Sequence, residues 1–363
     1  MQIVLAVLSS FIVTFIVLPI IIKVSRSIDL LDNPDRRKIH SISTPSLGGI
    51  AIFLGFSLAV LITVPLADLS AIRYFLFGII IMVFLGVRDD VANMTAKHKL
   101  AIQIFAALMV VYFSEIRLDG FYGIFGVNDM PVWFNIPFSV FVIVALTNSF
   151  NLIDGIDGLA GSIGILILGY LGWAFLAEGH IAYSVICISL VGALFAFLFY
   201  NWFPSKVFMG DTGSLSMGFV ISSMVIHFIN LANDGGFTLP IESAVGVGMS
   251  LLILPIYDTL RVFTIRFVNG KNPLDPDRNH LHHGLLKLGY NHAQATLILL
   301  SFNVIILAIA IVLNFYLKNG ELILAIASIV AVITIFFEYK LSKLKYLKKS
   351  VARDRNLYVS KSA

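Results

Sequence analysis

Residues 2–22 of this chain, QIVLAVLSSFIVTFIVLPIII, form an apolar stretch without a single charged side chain. A helix needs about 20 such residues to cross the hydrocarbon core of a bilayer, so the stretch predicts a transmembrane helix. No basic residue precedes it, whereas Lys23 and Arg26 follow it. This charge order is the reverse of that in a cleaved signal peptide and predicts a retained first span.

The composition extends this prediction to the whole chain. Of its 363 residues, 58% are hydrophobic and only 13% are charged, and the mean hydropathy is +0.94. So little polar material cannot cover a soluble globule of this size. We therefore expect an all-α, polytopic integral membrane protein.

About eleven apolar stretches are long enough to cross a bilayer as helices. They cover residues 3–24, 47–68, 70–87, 99–115, 132–152, 158–177, 181–201, 213–231, 243–267, 294–317 and 321–339. Pro255, inside the ninth stretch, removes a backbone hydrogen bond and predicts a kink. We expect a single helical membrane domain over residues 1–340, followed by a basic cytoplasmic tail over residues 341–363.

Basic residues are distributed unevenly between the loops that join these stretches. With the N-terminus outside, 22 of the 25 Lys and Arg residues fall in inner loops or the tail, and only Arg73, Arg117 and Lys318 lie outside. Short cytoplasmic loops carry an excess of Lys and Arg. The distribution predicts an N-terminus outside and a C-terminus in the cytoplasm.

In this topology, every compact polar motif lies at the inner face. The motifs are RRKIHSISTPSLGG (36–49), RDDVANMTAKHK (88–99), NSFNLIDGIDGLAG (148–161), FMGDTGS (208–214) and DPDRNHLHHG (275–284). The outer loops are short and contain no comparable motif. We therefore expect a functional site at the cytoplasmic face.

Five carboxylates in these motifs, Asp89, Asp90, Asp154, Asp157 and Asp211, lie at inner ends of predicted helices. Each alone could be a helix cap, since Asp is a favoured N-cap residue. Together they favour a hard cation, Mg²⁺ or alternatively Mn²⁺, bound through one or two carboxylates and substrate phosphates. The adjacent Asp89 and Asp90 point about 100° apart on a helix, which predicts different roles.

The HLHH segment contributes His280, His282 and His283. Imidazoles can donate hydrogen bonds to phosphate oxygens or sugar hydroxyls. The alternatives are a polar loop that is fortuitously rich in histidine and a metal-chelating segment. Phe208 could stack on a nucleobase, although on spacing alone an aromatic at the membrane edge is more often a belt residue.

Two other classes of protein remain open from the residues alone. A secondary transporter is one, because carboxylates in polytopic bundles also mark ion pathways. Transport sites concentrate near the bilayer midplane between repeats, whereas these motifs lie at one edge and no internal repeat is visible. A membrane scaffold without chemistry is the other, and the polar clusters count against it.

Four motifs together resemble those of the polyprenyl-phosphate N-acetylhexosamine-1-phosphate transferase superfamily. They are DDVANMTAKHK (89–99), NLIDGIDGLA (151–160), VFMGDTGSL (207–215) and DRNHLHHG (277–284). The interrupted histidine triplet is more similar to the WecA/TagO branch, which uses UDP-GlcNAc, than to the MraY branch, which uses a UDP-muramoyl-pentapeptide. Asn93 departs from the pattern, since some members have a third Asp there.

The resemblance implies a reaction in which a polyprenyl phosphate attacks a UDP-sugar and releases UMP. It implies that Asp157 and Asp211 hold Mg²⁺ and that Phe208 stacks on the uracil. Asn151 and Asn201 would line the nucleotide pocket. The implied partners are the UDP-sugar, the lipid phosphate and the membrane, which would be the plasma (inner) membrane of a bacterium. A homodimer is compatible with this assignment, and no nucleic-acid partner is expected.

The resemblance also implies roles for the remaining polar residues. Lys99 would approach the phosphates, and Asp89 and Asp90 would lie at the lipid-phosphate side, one of them as a base or positioning group. The pyrophosphate or sugar would be handled by His280, His282, His283 and Arg278. A lipid phosphate is already largely ionised at neutral pH, so the reaction does not strictly require a base.

Overall fold

The computed structural model describes residues 1–32, 44–235, 237–238, 241–272 and 279–361. Almost all regular structure in these ranges is helical, which confirms the predicted all-α class. The long helices are α1 (Gln2–Ser27), α2 (Gly48–Thr63), α3 (Leu66–Val91), α4 (Ala96–Phe113), α5 (Val132–Ile153), α6 (Leu159–Ala177), α7 (Ile181–Asn201), α8 (Gly210–Asn233), α10 (Ile253–Val268), α12 (His292–Leu313) and α13 (Asn319–Lys361). The shorter elements are β1 (Leu31–Asp32), which pairs antiparallel with β2 (Thr44–Pro45), a 3₁₀ turn (Ile124–Gly126), α9 (Ala244–Leu251) and α11 (Leu281–Lys287).

Within the described ranges, nine helices are long and apolar enough to cross a bilayer, so the chain is a multi-pass membrane protein. The predicted number of about eleven spans is not reached by this criterion. The second predicted span is α2, which has only 16 residues. The ninth is divided into α9, with 8 residues, and α10, with 16 residues. Helix α13 runs without interruption through the predicted domain boundary after residue 340.

The division between α9 and α10 falls at Leu252, three residues before Pro255. Pro255 has no N–H to donate to the carbonyl oxygen of Leu251 four residues earlier. Asn303 of α12 compensates, because its Nδ2 donates to that oxygen at 3.2 Å and its Oδ1 accepts from the Leu254 N–H at 3.4 Å. At the predicted kink the helix is therefore interrupted, and a polar side chain inside the bundle forms hydrogen bonds with the backbone groups that the interruption frees.

Helix α8 lies at the centre of the bundle, and most of its side chains are buried. Glycines allow two neighbouring helices to contact its first turn. A Cβ atom on Gly49 of α2 would lie 2.2 Å from the Gly213 nitrogen, and one on Gly86 of α3 would lie 2.2 Å from the Thr212 Cα. This close approach brings the first turn of α8 against the start of α2 and the end of α3, and these elements frame a polar cavity.

Candidate active site

A cavity of about 510 Å³ opens at the end of the bundle where α3, α5 and α7 end and α8 begins. Its lining includes all five carboxylates that the sequence singles out and eight of the predicted site residues. Those eight are Asp89, Asp90, Asn151, Asp157, Asn201, Phe208, Asp211 and His283. The motifs that are separated in sequence therefore meet in one site.

A single ammonium group joins two of these carboxylates. The Nζ atom of Lys99 donates to Oδ2 of Asp211 at 2.6 Å and forms an ion pair with Asp89. The second oxygen of Asp89 accepts a hydrogen bond from the Met94 N–H at 2.7 Å, and Oδ1 of Asp211 accepts one from Asn151 Nδ2 at 2.9 Å. Lys99, on the first turn of α4, thus links α3 to α8 across the cavity.

Asp90 contacts different groups from its neighbour Asp89. Its two carboxylate oxygens accept hydrogen bonds from the N–H groups of Asp211 (2.8 Å) and Thr212 (2.9 Å), and one also accepts from the Thr212 hydroxyl (2.6 Å). These N–H groups at the start of α8 lack partners within the helix, so Asp90 acts as its cap. The expected difference between the adjacent carboxylates is visible in their contacts.

Position 210, immediately before Asp211, accepts only glycine, for two reasons. Its φ of +70° lies in the left-handed region, and a Cβ atom there would lie 1.9 Å from the carbonyl oxygen of Ser46. A side chain would therefore displace the backbone that begins α8. The GDTG motif thus places Asp211 against Lys99.

The loop between α5 and α6 supplies Asp154 and Asp157. Oδ2 of Asp157 accepts a hydrogen bond from the Ser205 N–H at 3.2 Å and lies 3.4 Å from Nδ1 of His292. Within the described part of the chain, no hydrogen bond to the Asp154 side chain is found. Burial, and then the charges of Asp211, Asp90 and Asp157, raise the pKa of Asp154 to about 7. The cavity therefore holds more negative charge than its lysine balances.

Asn201, at the end of α7, ties two loops of the site together. Its Oδ1 accepts from the Gly158 N–H at 2.9 Å, and its Nδ2 donates to the Val207 carbonyl at 2.8 Å. Phe208 follows in the same loop, and its backbone N–H donates to the Pro45 carbonyl at 2.8 Å. Both residues line the cavity, and their roles toward a nucleotide stay predictions.

The HLHH segment is held by α10. Oδ2 of Asp258 lies 2.7 Å from Nδ1 of His280, and its Oδ1 accepts from the Leu281 N–H at 2.7 Å. Arg261, one turn later, donates to the Asn279 carbonyl and pairs with Glu338 of α13. Sequence reasoning did not single out Asp258 or Arg261, although two polar residues three apart in an apolar stretch were a usable signal.

His282 is the most deeply buried member of this segment, with 2% of its surface exposed. Its ring stacks against that of His280, with centroids 5.6 Å apart, and a Cβ atom on Gly155 would lie 2.4 Å from its Nε2. Neither ring nitrogen has a hydrogen-bond partner among the described residues. Burial, together with His283, His280 and His292, holds its pKa well below the usual value, so the ring is neutral.

Arg278 lies outside the residues that the structure describes. His292 lines the cavity beside Asp157 but lies outside the motifs quoted from the sequence, and only its position in the fold identifies it. Asn93, the departure from the family pattern, also lines the cavity.

The donor chemistry of the cavity fits a hard divalent cation, because carboxylate oxygens dominate the lining. Among the described residues, no group of three or more His, Cys, Asp or Glu side chains forms a ready ligand set. Mg²⁺ commonly takes one or two protein carboxylates and completes its shell with water and substrate phosphates. The residues present therefore suit an ion shared with a diphosphate better than an all-protein cage.

The fold and the site together define a multi-pass membrane protein with a carboxylate-rich cavity at one end of its bundle. Residues 72–229 match the model of glycosyl transferase family 4. The chain is 32% identical over 314 residues to the probable undecaprenyl-phosphate N-acetylglucosaminyl 1-phosphate transferase of Bacillus subtilis, which covers 86% of this chain and 85% of that protein.

Two further relatives carry related names. The chain is 28% identical over 296 residues to the undecaprenyl-phosphate alpha-N-acetylglucosaminyl 1-phosphate transferase of Escherichia coli (strain K12), covering 79% of this chain and 77% of that protein. The protein of that name from Yersinia pestis is 28% identical over 278 residues, covering 75% of this chain and 74% of that protein. The chain belongs to glycosyl transferase family 4, which confirms the resemblance to the WecA/TagO branch.

Proposed function

We propose that this protein transfers N-acetylglucosamine-1-phosphate from UDP-GlcNAc to undecaprenyl phosphate and releases UMP. The observation that carries the proposal is that Lys99 pairs with both Asp89 and Asp211, two carboxylates that line one polar cavity of a bundle whose relatives bear that activity in their names. The reaction would be the first membrane step of a cell-surface polysaccharide pathway.

In the proposed reaction, an oxygen of the lipid phosphate attacks the β-phosphorus of the UDP-sugar and forms the new P–O bond. The bond from that phosphorus to the bridging oxygen breaks, and its electron pair leaves with UMP. Catalysis of phosphoryl transfer is mostly positioning and charge stabilisation. The chain must therefore hold two anionic substrates together and balance their charge.

Lys99 is the residue best placed for this charge stabilisation. Its ammonium lies between Asp89 and Asp211, so those two carboxylates fix its position at the cavity without a substrate. A pre-positioned cation stabilises developing charge without reorganisation during the reaction. Asp90 stabilises the position of Asp211, because it caps the start of α8, the helix that carries Asp211.

The histidines are proposed to face the transferred group. His282 is neutral and carries one ring donor and one acceptor, neither of which has a partner among the described residues. Buried polar atoms without partners carry a free-energy cost, which a hydrogen bond to a substrate oxygen would remove. Asp258 fixes the orientation of His280 beside it.

A divalent cation, Mg²⁺ or alternatively Mn²⁺, is proposed as the cofactor. Asp211 and Asp157 would hold it, and Asp154 adds a carboxylate in the same cavity. Such an ion would neutralise charge on the diphosphate of the donor. Burial, and then the charges of three neighbouring carboxylates, raise the pKa of Asp154 to about 7, and the excess of carboxylates in the cavity supports this proposal.

The cavity is proposed to face the cytoplasm of a bacterial plasma membrane. The distribution of basic residues supports this orientation. In a Cys187→Ala background, cysteines introduced at the exposed Lys271 and Lys318 should react with impermeant reagents from opposite sides. Reaction of both from one side would contradict the orientation.

The activity itself is tested with purified protein in lipid nanodiscs. Undecaprenyl phosphate is supplied with UDP-GlcNAc, UDP-GalNAc, UDP-QuiNAc or the UDP-muramoyl-pentapeptide, and UMP release is measured. UDP-GlcNAc should be the preferred donor. Preference for the pentapeptide nucleotide would contradict the proposed donor, and absence of turnover with every donor would overturn the reaction.

The site assignment is tested with His282→Ala. Loss of one well-placed transition-state donor typically lowers the rate about 10²–10³-fold. UMP affinity should weaken only modestly, because the histidines are proposed to contact the transferred group. Equal loss of UMP affinity would move them to the uridine end, and unchanged turnover would remove them from the site.

A further inference from the structure

A second cavity, of about 370 Å³, lies between α1 and the end of α7, outside the catalytic cavity. Its lining consists of Pro19, Ile22, Lys23 and Arg26 from α1, together with Tyr200 and Lys206. None of these six residues lines the catalytic cavity. We call it the basic groove.

The basic groove changes from apolar to cationic along α1. Residues 19, 22, 23 and 26 share one face of the helix, because they follow its periodicity of three and four. Pro19 and Ile22 come first, and Lys23 and Arg26 lie near the helix end. A membrane lipid has the same order, with its apolar chains deeper than its charged headgroup.

Aromatic side chains extend the apolar part of the basic groove along the bundle. The ring centroid of Phe15 lies 5.4 Å from that of Tyr200 and 5.9 Å from that of Phe199. Phe199 is 68% exposed and Phe15 is 40% exposed on the bundle surface. An acyl chain can therefore lie on these rings while its headgroup contacts the cations.

The walls of the basic groove are held in place by close helix packing. A Cβ atom on Gly192 of α7 would lie 2.3 Å from the Ser10 hydroxyl oxygen, so α1 and α7 approach closely. The N–H of Lys206 donates to the Tyr200 carbonyl at 2.7 Å. Lys206, one of the three cations, therefore projects from a turn whose backbone is hydrogen-bonded to the end of α7.

Among the described residues, no side chain pairs with the cations of the basic groove. Its lining contains three cations and no carboxylate. Across the described ranges, no ion pair is found for Lys23, Arg26 or Lys206. Basic pockets between transmembrane helices bind the headgroups of anionic lipids such as cardiolipin.

We propose that the basic groove binds the headgroup of an anionic membrane phospholipid. The occupant is a phospholipid rather than the lipid acceptor of the reaction, because the groove shares no residue with the cavity that Asp89 and Asp211 line. The two sites contact opposite sides of one loop. Lys206 faces the groove, whereas Phe208 lines the catalytic cavity and the Ser205 N–H donates to Asp157. A bound phospholipid steadies this loop and should therefore raise turnover.

The experiment compares two double variants that each remove two exposed cations from a long helix: near the end of α1 in one, and within α13 in the other. Lys23→Gln/Arg26→Gln alters the basic groove, and Lys340→Gln/Lys343→Gln is the matched control on α13. Protein in phosphatidylcholine nanodiscs is titrated with cardiolipin, phosphatidylglycerol or undecaprenyl phosphate, and bound lipid is counted by native mass spectrometry. Turnover in pure phosphatidylcholine should match the wild type, which checks folding and insertion.

We expect the groove variant to bind cardiolipin roughly 30-fold more weakly, since each cation near a membrane surface contributes about 1 kcal/mol toward anionic lipid. The control should retain wild-type binding, and only the groove variant should lose activation by cardiolipin. Equal weakening in both variants would overturn the site. Displacement of cardiolipin by an equimolar amount of undecaprenyl phosphate would overturn the phospholipid assignment.

Lys206→Gln keeps the test decisive if the double variant inserts poorly. This residue lies in the loop after α7 and does not flank the first span. Its removal should weaken cardiolipin binding about fivefold, in keeping with the loss of one cation. Unchanged binding in this variant would contradict the proposal.

Discussion

The two ends of the bundle use polar residues differently. At the end opposite the catalytic cavity, the Tyr122 hydroxyl donates to Asn230 at 2.6 Å, and Asp119 accepts from both Arg117 (2.9 Å) and Asn135 (3.1 Å). Each of these side chains makes at least one hydrogen bond to another protein group. At the cavity end, five carboxylates line the cavity and Lys99 pairs with only two of them, Asp89 and Asp211, while His282 has no hydrogen-bond partner among the described residues.

This difference separates structural from chemical use of polar groups. Burial raises the pKa of Tyr122 to about 12, so its hydroxyl remains a neutral donor, and the network around it closes loops. The excess of carboxylates at the cavity end lowers stability unless a cation or ligand compensates. Substitutions at the two ends should therefore change different quantities.

The largest expected effect is that of Asp211→Asn, which removes a charge but little volume. Turnover should fall about 10²–10³-fold, because the substitution weakens the position of Lys99 and removes a proposed cation ligand. Asp119→Asn, the matched change at the opposite end, should leave turnover within about twofold, since that carboxylate serves only local contacts. UMP release in the presence of Mg²⁺ and after chelation measures both. Similar turnover in the two variants would contradict the claim that carboxylates at the two ends of the bundle have different roles.

Gly155→Ala should lower turnover about 10²-fold, because the added methyl group must displace the His282 ring, and small misplacements at a reacting centre have effects of this size. The Cβ atom would lie 2.4 Å from Nε2. Gly169→Ala, where a Cβ atom meets nothing within 4 Å, is the control and should retain full turnover. If the Gly155 variant also kept full turnover, the position of His282 would not matter for the reaction.

Asp90→Asn should reduce both turnover and stability, which distinguishes it from the change at Asp211. The amide has only one acceptor oxygen, so it cannot replace all three hydrogen bonds that Asp90 receives from Asp211 and Thr212. Loss of such a cap costs about 1–2 kcal/mol of the free energy of unfolding. Turnover and thermal unfolding in detergent should be measured together. Lost turnover with unchanged unfolding would instead indicate direct contact between Asp90 and substrate.

The smallest effect is expected for Tyr122→Phe at the opposite end. It removes the hydrogen bond to Asn230 and should lower the free energy of unfolding by about 1 kcal/mol. Turnover should not change, because the affected network lies at the far end of α8 from Asp211. A clear loss of turnover would show that the two ends are coupled through that helix.

Much of the site was accessible from the sequence because short motifs with charged residues stand out in an apolar chain. Asp89, Lys99 and Asp211 were singled out, and the structure brings them into contact. The contacts of Asp90 and Asn201 could not be predicted, since their partners lie 121 and 43 residues away. His292 was missed because it is an isolated histidine at a helix start, and only its proximity to Asp157 in the fold identifies it as a site residue.

The membrane class, the approximate positions of the spans and the set of polar motifs could all be predicted from the amino-acid sequence. Hydrophobicity over some 20 residues is a local property, so it can be read without knowledge of neighbouring helices. Three features became visible only in the folded chain. The ninth stretch is interrupted where Asn303 hydrogen-bonds to its backbone, α10 holds the HLHH segment, and a basic groove lies beside the loop that contains Ser205 and Phe208. Each of these features depends on contacts between helices distant in sequence, whose spacing and rotation hydrophobicity does not encode.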